Sequence, residues 1–538
     1  MSKVIIYSSF GMFPVFEYEL DIAQTLIDHG NEVIFIFNSK YDRIYKDYYA
    51  MNHASNYIKH KEILSKFLNG IKWINSRNGQ LKIIDINDVE YLKKNEINND
   101  IQRLNKIDPK AFINLKEYLV RGMNIYDTAF SGLMTIENIE SYRPSKNQIK
   151  KYLKNQLKIA IKHFHIAEYI LEKEKPDKVY LFNGRLPQYS PIIHLSKQNK
   201  VLFNVYEYPI YQDTRYLVTD NYIPHNINLF SEDLYRAFTE SEKSEIIKIS
   251  EGSNYIKSRV NRTANEFSSS WSKLQTEDLS VKFESGKKVL SIFTSTEAEF
   301  ASIQSVKESR FFKNQKEPLQ AILNLFNDHD HDYDIFIRIH PNAAKDRAHQ
   351  NDMNSLAKEY NNVTVIDPQS SIDTYKLIKD SNYIFTCGST VSMEAAFLMK
   401  KVYTLGPSVY EKFIPDIHIH SYKKLTETVK KIINNENIFF NLDMNKKKSA
   451  SFYYALMNVG VNPVYVKGLS YTKSILVRDK IESLISANKR YIYLSTFFEI
   501  PLRISRGIKT LKENKKYRKK LMKSPIKIIF TYLFTRKG

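Results

Sequence analysis

Short, wholly apolar runs alternate along this 538-residue chain with segments in which apolar residues recur every three or four positions. Runs of the first kind indicate buried strands of a parallel sheet, and segments of the second kind indicate helices that pack on it. The chain opens with strand Val4–Tyr7, helix Glu17–His29 and strand Glu32–Phe37. The pattern returns with strands Val179–Phe182 and Val201–Tyr206. Strands that alternate with helices predict an α/β fold.

The second half of the chain repeats this alternation. Its predicted strands are Val289–Phe293, Asp334–Ile339, Val363–Ile366, Tyr383–Cys387 and Val402–Leu405. Helices are predicted between them, for example Asp352–Tyr360 and Val391–Met399, and a last helix, Tyr422–Asn434, follows. The pattern predicts two Rossmann-like, doubly wound domains.

We predict domain boundaries from shifts in composition. Residues 1–268 form the first domain, in which a glycine-poor, mostly helical insertion spans 41–175. A polar stretch around Gly286 separates it from the second domain, residues 289–460. Residues 461–538 form a basic, helical tail.

The formal net charge of +21 is concentrated near the end of the chain. After Pro501 there are thirteen Lys and Arg residues and one acid, Glu513, so 12 of the 21 charges lie there. Aliphatic and aromatic residues alternate with these cations, which favours an anchor on an anionic membrane surface. A solvated charge run and an RNA-binding tail are the alternatives.

A single cysteine, Cys387, excludes an intramolecular disulfide and a multi-cysteine zinc site, and it fits a reducing compartment. No apolar run reaches the roughly 20 residues that span a bilayer. We therefore expect a cytoplasmic protein that is peripheral on the inner face of the cell membrane.

The run that ends at Cys387 carries the most informative motif. It stops at Gly388, and a helix opens at Ser389 or Thr390. Free N–H groups of a first helical turn and the helix dipole both favour an anion, so this turn predicts a phosphate site. The alternative is a simple N-cap, a position that Ser and Thr commonly occupy.

Other candidate residues follow neighbouring strands. His340 lies at the carboxyl end of its strand, where parallel sheets bind ligands, and Arg338 precedes it by two residues and shares its face. Thr294, Ser295 and Thr296 follow the first strand of the second domain. The alternatives are a histidine satisfied in a turn and an arginine that reaches solvent at a strand end.

The ordered motifs resemble those of bacterial capsule and surface-polysaccharide glycosyltransferases, which have the GT-B fold. The resemblance covers residues 289 to about 411 and rests on Phe293-Thr294-Ser295-Thr296-Glu297, Arg338-Ile339-His340-Pro341-Asn342, Asp367-Pro368 through Asp373-Thr374-Tyr375, and Gly388-Ser389-Thr390 through Glu394-Ala395-Ala396. It implies two domains that face a cleft, with a nucleotide-sugar donor on the second domain.

By resemblance, His340 binds the donor nucleotide and Glu394 holds its ribose hydroxyls. The alternative for Glu394 is a charge that interacts with the helix dipole. The predicted donor-binding set is Thr294, Ser295, Thr296, Arg338, His340, Gly388, Ser389, Thr390 and Glu394. The nucleotide sugar is a substrate, and we expect no cofactor.

Asn183, Arg185 and Glu207 follow strands of the first domain and form the predicted acceptor side. A general base must take the proton of the acceptor hydroxyl. Glu207 is the preferred base, and we assign catalytic roles to Glu207 and His340. The rival candidates for the general base are Glu17 and Asp21 on the first helix and Glu297 and Glu299 across the cleft.

We expect no metal site. The cluster Asp328-His329-Asp330-His331-Asp332 lies between a helix and a strand, and a solvated loop explains it because metal ligands must converge, not merely adjoin.

The expected function is sugar transfer from a nucleotide donor to a lipid-linked or growing surface polysaccharide. One alternative is a polyol-phosphate transferase of the teichoic-acid type with a CDP-linked donor. Others are a non-catalytic membrane-associated scaffold and a nucleic-acid binder indicated only by charge. The residues leave open the sugar, the nucleotide base, the linkage, retention or inversion, the acceptor and the oligomeric state.

Overall fold

The computed structural model describes residues 1–8, 15–38, 64–74, 80–135, 146–207, 215–264, 275, 286–296, 311–436, 438, 440–467, 475–478 and 481–483. Two compact units are distinct. Unit 1 is Met1–Glu96, Tyr169–Asp177 and Val464–Gly538, and unit 2 is Ile97–Glu168 and Lys178–Pro463. The predicted boundaries, 1–268, 289–460 and 461–538, stay a prediction.

Strands and helices alternate through much of the described chain. The strands are β1 Lys3–Ser8, β2 Glu32–Phe37, β3 Leu81–Asp85, β4 Leu119–Val120, β5 Met123–Asn124, β6 Lys178–Phe182, β7 Leu202–Glu207, β8 Leu217–Asp220, β9 Lys288–Phe293, β10 Tyr333–Arg338, β11 Val363–Ile366, β12 Tyr383–Thr386, β13 Lys401–Leu405, β14 His418–Ile419, β15 Val466–Lys467, β16 Ile475–Arg478 and β17 Ile481–Ser483. The α-helices of five residues or more are α1 Val15–Asp28, α2 Ile86–Leu92, α3 Lys94–Asn105, α4 Pro109–Ile113, α5 Tyr126–Thr135, α6 Lys154–Glu174, α7 Ser190–Gln198, α8 Ile227–Thr239, α9 Glu245–Val260, α10 Lys316–Phe326, α11 Arg347–Ala357, α12 Thr374–Asp380, α13 Val391–Phe397, α14 Tyr422–Ile433 and α15 Leu442–Asn458.

In unit 1, β1 pairs in parallel with β2, and β2 pairs in parallel with β3. Helix α1 makes the crossover between β1 and β2, as the opening βαβ pattern predicts. Gly30 follows α1 with a positive φ of 80°, which lets the chain turn back into β2 at low steric cost. In unit 2, β6 pairs in parallel with β7, whereas β8 runs antiparallel to β7.

Unit 2 also holds a sheet of six strands in the order β11-β10-β9-β12-β13-β14. Every neighbouring pair in it is parallel. Numbered from β9, this order is 3-2-1-4-5-6, which is the doubly wound Rossmann arrangement. The predicted α/β class with parallel sheets is therefore confirmed.

Helices bury both faces of this sheet. Phe336 of β10 packs on one side with residues of α8, α9, α12, α13 and α15. Its neighbours Ile335 and Ile337 point to the opposite side, which α10, α11 and α14 cover. A sheet that is buried on both faces needs strands that are apolar throughout, and this explains the continuous apolar runs in the sequence.

The structure differs from the sequence prediction in some helices. Helix α11 begins at Arg347 instead of at Asp352, because the Asp346 carboxylate accepts the N–H of His349 at 3.1 Å and caps the helix there. Helix α15, which was not predicted, packs closely on α9. A Cβ atom at Gly252 of α9 would lie 1.9 Å from the carbonyl oxygen of Ala450, so the approach of the two helices requires glycine.

Only the first part of the predicted basic helical tail, 461–538, is described. Strands β15, β16 and β17 pair there as an antiparallel set. The cationic segment after Pro501 lies outside the described residues. Within the part of the chain that the structure describes, no helix has the length and apolar character needed to cross a bilayer.

Candidate functional site

In the six-stranded sheet, the strands that follow β9 in the chain lie on one side of it, and the strands that follow β12 lie on the other side. The strand order therefore reverses between β9 and β12. Doubly wound sheets bind ligands in the crevice at the carboxyl ends of such a strand pair. The segments that follow β9 and β12 here are Thr294–Thr296 and Cys387–Thr390. His340 follows β10, the other neighbour of β9. Three predicted donor segments therefore meet at one sheet edge.

Thr294 connects the loops at the carboxyl ends of these strands through several hydrogen bonds. Its buried hydroxyl oxygen accepts the backbone N–H of His340 at 3.1 Å and lies 3.2 Å from Nε2 of His349. Its own N–H donates to the carbonyl of Arg338 at 3.0 Å. The next residue, Ser295, is tied to the Gln315 side chain by bonds of 2.7 Å and 3.1 Å. The loop after β9 is thus locked to the loop after β10.

The imidazole of His340 turns back on its own loop. Nδ1 accepts the N–H of Asn342 at 3.1 Å and so caps the 3-10 turn Pro341–Lys345. This bond leaves Nδ1 without a proton, so the proton of the neutral ring is on Nε2. His340 itself is half-buried. His340 is thus a histidine that is hydrogen-bonded within its own turn. This arrangement is compatible with an Nε2–H that donates to a ligand.

Arg338, the last residue of β10, is almost fully buried. Its Nη2 donates to the carbonyl of Ser370 at 3.3 Å, and Nε and Nη1 have no hydrogen-bond partner among the described residues. Burial lowers its pKa to about 10, against the opposing effect of Asp367, so the guanidinium stays charged at neutral pH. Among the described side chains, no contact joins Arg338 to His340.

The turn after β12 has the backbone that the motif predicts. Gly388 has a φ of 72°, and a Cβ there would lie 3.1 Å from the carbonyl of Pro407. Ser389 accepts the N–H of Val391 on its hydroxyl at 3.4 Å. Thr390 is the residue before α13, and its side chain makes no capping bond. The simple N-cap interpretation therefore does not describe the Thr390 hydroxyl.

A buried chain of hydroxyl groups lies beneath this turn. Thr386 and Ser392 are 2.5 Å apart, Ser392 and Thr404 are 2.8 Å apart, and Thr404 lies 3.3 Å from the Tyr410 phenol. Tyr410 has no exposed surface, and burial raises the pKa of its phenol, which stays protonated. Its O–H donates to the carbonyl of Ser389 at 2.9 Å, which holds the turn from below.

Glu394 is buried one helical turn into α13. Its Oε1 accepts the Tyr453 phenol at 3.0 Å and lies 3.1 Å from a guanidinium nitrogen of Arg259. The helix-dipole interpretation is therefore incomplete, because the carboxylate has two specific partners.

Asn183, Arg185 and Glu207, the residues assigned to the acceptor side, lie close together. Asn183 adopts a φ of 61°, and its Nδ2 donates to Oε1 of Glu207 while its Oδ1 accepts the N–H of Arg185 at 3.3 Å. Gly184, with a φ of 77°, lies so close to Ile223 that a Cβ would approach its methyl group to 2.7 Å. The turn thus presents the half-buried Glu207 at the end of β7.

The rival bases on α1 have other roles in unit 1. Glu17 forms a buried ion pair with Lys66, and burial raises its pKa against the effect of the lysine. Asp21 accepts the N–H groups of Val464, at 2.9 Å, and of Tyr465. Glu297 and Glu299 lie outside the described residues.

Sequence reasoning missed the residues that support the site. His349, Tyr410, Arg259 and Tyr453 reach it from helices or loops far along the chain, and no local pattern marks them. In unit 1 it also missed Glu19, a buried carboxylate that accepts the Ser8 hydroxyl at the end of β1. Such pairs are visible only after the chain has folded.

A cavity of about 1140 Å³ lies along the edge strand β11. Asp367 and Ser370, the neighbours of Arg338, line it, but no predicted donor residue does. Within the described ranges, no cluster of histidine, cysteine or acidic residues converges as metal ligands would. In the Asp/His cluster, the His331 side chain is 74 % exposed, which agrees with a solvated loop.

Comparison with known proteins agrees with the motifs. Residues 217–413 match the family model described as capsule polysaccharide biosynthesis protein. The match confirms, over that segment, the resemblance to a capsule polysaccharide biosynthesis family. No curated protein sequence matches the chain.

Some solved structures are similar over long stretches, at low identity. KpsC of Thermosulfurimonas dismutans, a beta Kdo 2,4 transferase, is 10 % identical over 58 % of this chain and 85 % of its own, with a TM-score of 0.36. S. aureus MnaA in complex with UDP is 11 % identical over 86 % of this chain and 92 % of its own, with a TM-score of 0.25. The Neisseria meningitidis UDP-GlcNAc 2-epimerase bound to UDP-GlcNAc is 13 % identical over 86 % and 95 %, with a TM-score of 0.27. The α/β fold described above therefore rests on the order and pairing of the strands in this chain, and not on these similarities.

Proposed function

We propose that this chain, whose residues 217–413 match the capsule polysaccharide biosynthesis family, is a glycosyltransferase. It transfers a sugar from a nucleotide-activated donor to a lipid-linked or growing surface polysaccharide. One observation carries the proposal: the glycine turn Gly388–Thr390 and the Thr294 loop flank the point where the order of the parallel sheet reverses. That is the position at which doubly wound sheets bind nucleotides.

The donor half of the reaction needs stabilisation of a leaving phosphate. The backbone N–H groups of the turn and the hydroxyls of Ser389 and Thr390 donate to the phosphate oxygens. His340 adds its Nε2–H, since Nδ1 already accepts a hydrogen bond. Thr294, hydrogen-bonded to the N–H of His340 at 3.1 Å, holds the two loops together, and Ser295 and Thr296 complete the donor side.

The acceptor half needs a base. Glu207 removes the proton from the acceptor hydroxyl, and that oxygen forms a bond to the anomeric carbon of the donor. The bond from this carbon to the phosphate oxygen breaks, and the nucleotide leaves with the electron pair. The amide of Asn183 orients the Glu207 carboxylate, and Arg185 binds the acceptor. No step in this scheme requires a metal ion or a cofactor.

The acceptor and the charge of the chain fit together. Thirteen cations after Pro501 would attract the anionic inner face of the cell membrane, where a lipid-linked acceptor is anchored. We therefore place the enzyme peripherally on that face, with the membrane surface and the polysaccharide as its partners.

Calorimetric titration with CMP, CDP, UDP and GDP tests the proposal. We expect one nucleotide to bind to the wild-type protein and to bind at least about tenfold more weakly to Ser389→Ala and His340→Ala. Ser355→Ala, an exposed position on α11, is the matched control and keeps wild-type affinity. CMP indicates an acidic sugar, CDP the alternative polyol-phosphate donor, and UDP a neutral or amino sugar. A wild-type protein that binds none of the four contradicts the proposal and favours a scaffold.

A further inference from the structure

A groove of about 1140 Å³ runs along β11, the edge strand of the six-stranded sheet in unit 2. At one end it is lined by Ala344, in the turn that His340 caps, and by the loop 367–372 that follows β11. This end lies at the carboxyl edge of the sheet. At the other end it is lined by Lys287 and Asp334, at the amino ends of β9 and β10. We call this cavity the β11 groove.

The β11 groove is large for a single small molecule. Pockets for compounds of drug size usually enclose about 300–1000 Å³. The four residues of β11 extend over about 13 Å, because a parallel strand rises about 3.3 Å per residue. The donor nucleotide of the proposed function lies elsewhere, in the crevice between β9 and β12. The dimensions therefore fit an extended ligand that is distinct from the donor.

Side chains that both donate and accept hydrogen bonds line the groove. They include the amides of Gln350, Asn361, Asn362 and Gln369 and the hydroxyl of Thr364. A carboxamide offers a carbonyl acceptor and an NH₂ donor, and a hydroxyl group likewise donates and accepts. A chain of linked sugars presents hydroxyl groups along its whole length. The lining therefore matches the chemistry of a hydroxyl-rich glycan.

The charges of the lining favour recognition of hydroxyl groups over recognition of phosphates. Three carboxylates line the groove, those of Asp330, Asp334 and Asp367, together with the ammonium of Lys287. This ammonium lies 3.8 Å from the Asp334 carboxylate and donates to the carbonyl of Asp330 at 3.2 Å. A nucleic acid would meet more negative than positive groups here, and like charges repel.

Two of the amides are held by bonds to the backbone. Nε2 of Gln350 donates to the carbonyls of Ala343 and Ala344, at 2.7 Å and 3.0 Å. Nδ2 of Asn362 donates to the carbonyl of Tyr333 at 3.0 Å. Side chains that are fixed before a ligand binds lose less conformational entropy when it does. The groove is thus prepared for binding on both sides of β11.

The wall at the carboxyl end is joined to the loops of the candidate site. Nη2 of the buried Arg338 donates to the carbonyl of Ser370 at 3.3 Å, and the N–H of Ser370 donates to the carbonyl of Asp367 at 3.0 Å. The carbonyl of Arg338 accepts the N–H of Thr294 at 3.0 Å. One end of a glycan in the groove would therefore lie beside the loops that we propose to hold the donor.

A polypeptide strand is the other ligand that an edge strand can accept. Such a strand binds through main-chain hydrogen bonds along the edge, and β11 pairs with β10 over only four residues. A ladder this short offers few bonds, and it makes no use of the amide side chains that line the groove. The observations therefore favour the glycan.

We propose that the β11 groove binds the growing polysaccharide at sugar units that lie behind the one at which transfer occurs. The inference rests on the proposed function, because it takes the acceptor to be a glycan. It adds a binding site that lies outside the residues assigned to the donor and to the acceptor hydroxyl. Long acceptors should bind more tightly than short ones, because only a long acceptor reaches the groove while its end is at the reaction centre.

The test titrates the full-length protein with size-fractionated fragments of the capsular polysaccharide from the organism that encodes this chain. We expect long fragments to bind at least about tenfold more tightly than disaccharides. The double variant Asn361→Ala/Gln369→Ala removes two exposed amides from the lining. It should weaken binding of long fragments about three- to tenfold and leave binding of disaccharides unchanged.

The chain offers a matched control on α11. Asn354 is also an exposed asparagine, but it is not among the residues that line the groove. Asn354→Ala should keep the wild-type affinity for long fragments. Thr364→Trp places a large side chain at an exposed position of the lining, and it should cause at least the same loss by filling part of the groove.

Nucleotide titration of the same proteins separates this inference from the proposed function. A wild-type protein that binds a nucleotide but shows no preference for long fragments overturns the groove proposal alone, and so does a preference that both groove variants retain. A peptide strand then becomes the favoured occupant of the edge. Equal losses for long fragments and disaccharides also overturn it, because they indicate general structural damage. Groove-dependent binding of long fragments without binding of CMP, CDP, UDP or GDP supports the groove and contradicts the glycosyltransferase.

Discussion

The phenol of Tyr410 donates a hydrogen bond of 2.9 Å to the carbonyl oxygen of Ser389. Tyr410 is fully buried in the loop after β13, whereas Ser389 lies in the turn after β12. The bond therefore couples two neighbouring strand ends through a side chain that a ligand at the turn cannot reach. Because it acts on the backbone, its loss would tilt the peptide units on either side of Ser389.

Tyr410→Phe should weaken nucleotide binding about fivefold and cost about 1 kcal/mol of unfolding free energy, the usual contribution of one hydrogen bond. Titration of the same nucleotide and denaturant unfolding measure the two effects. Tyr403→Phe is the control, because the buried Tyr403 hydroxyl has no hydrogen-bond partner among the described residues. It should leave affinity unchanged, and an equal loss of affinity in both variants would contradict the role of Tyr410.

Glu207→Gln tests the assignment of the base. Glutamine preserves the shape and still accepts a bond from Asn183, but it cannot take a proton. We expect turnover to fall by about 10²-fold or more while nucleotide affinity stays within about twofold. Steady-state rates with a polysaccharide acceptor give the first quantity, and calorimetry gives the second. Wild-type turnover in Glu207→Gln would exclude Glu207 as the base.

Gly252→Ala should destabilise the protein strongly. The new methyl group would lie 1.9 Å from the Ala450 carbonyl oxygen, so α9 and α15 would have to move apart. Overpacking of this kind costs about 2 kcal/mol or more. Thermal or urea unfolding measures the loss. Ser253→Ala, the next position of the same helix, should change stability by less than about 0.5 kcal/mol, and similar values for both would rule out the steric explanation.

The stability of unit 2 should depend on the protonation of His418. This buried imidazole lies 2.7 Å from the Ser408 hydroxyl and 3.0 Å from the Ile414 carbonyl, and burial lowers its pKa to about 4 despite the attraction of Glu411. The unfolded state, with a pKa near 6.5, binds the proton more readily. The contribution of neutral His418 to the free energy of unfolding is therefore complete above about pH 6.5 and is lost as the pH falls towards 4.

The loss should reach up to about 3 kcal/mol over that range. Unfolding experiments at several pH values measure it, and His418→Gln should flatten the slope. His331→Gln provides the control, because this side chain is 74 % exposed. His420, whose pKa is raised by its bond to Glu411, is kept unchanged in both variants. Equal slopes in wild type and His418→Gln would contradict the prediction.

The sequence predicts the scaffold of the site well because that scaffold depends on local patterns. Each apolar run of the second half became a strand of the parallel sheet, and the glycine at the end of one run has the positive φ of 72° that the turn requires. Burial on both faces produces these runs, and a strand-to-helix turn produces the glycine. Thr294, His340 and Gly388 therefore fall at strand ends as expected.

The interactions between elements could not be predicted. Tyr410, Arg259 and Tyr453 contact the site from distant parts of the chain, and nothing in their neighbouring residues distinguishes them from ordinary core tyrosines and a helix-surface arginine. The start of α11 shifted because a single capping bond from Asp346 outweighed the apolar period. Arg338 ends the strand that leads to His340, and its side chain was expected on the same face as that of His340. Its guanidinium is instead hydrogen-bonded to the carbonyl of Ser370.

The central place of β9 in its sheet has a consequence for synthesis of the chain. β9 pairs on one side with β10 and on the other with β12, where Leu290 lies opposite Tyr383. A nascent chain that has emerged only as far as β11 therefore has one open edge on β9. The crevice between β9 and β12 is completed only after the turn Gly388–Thr390, which follows β12, leaves the ribosome. Nucleotide binding by stalled chains of increasing length would thus report the moment at which the sheet closes.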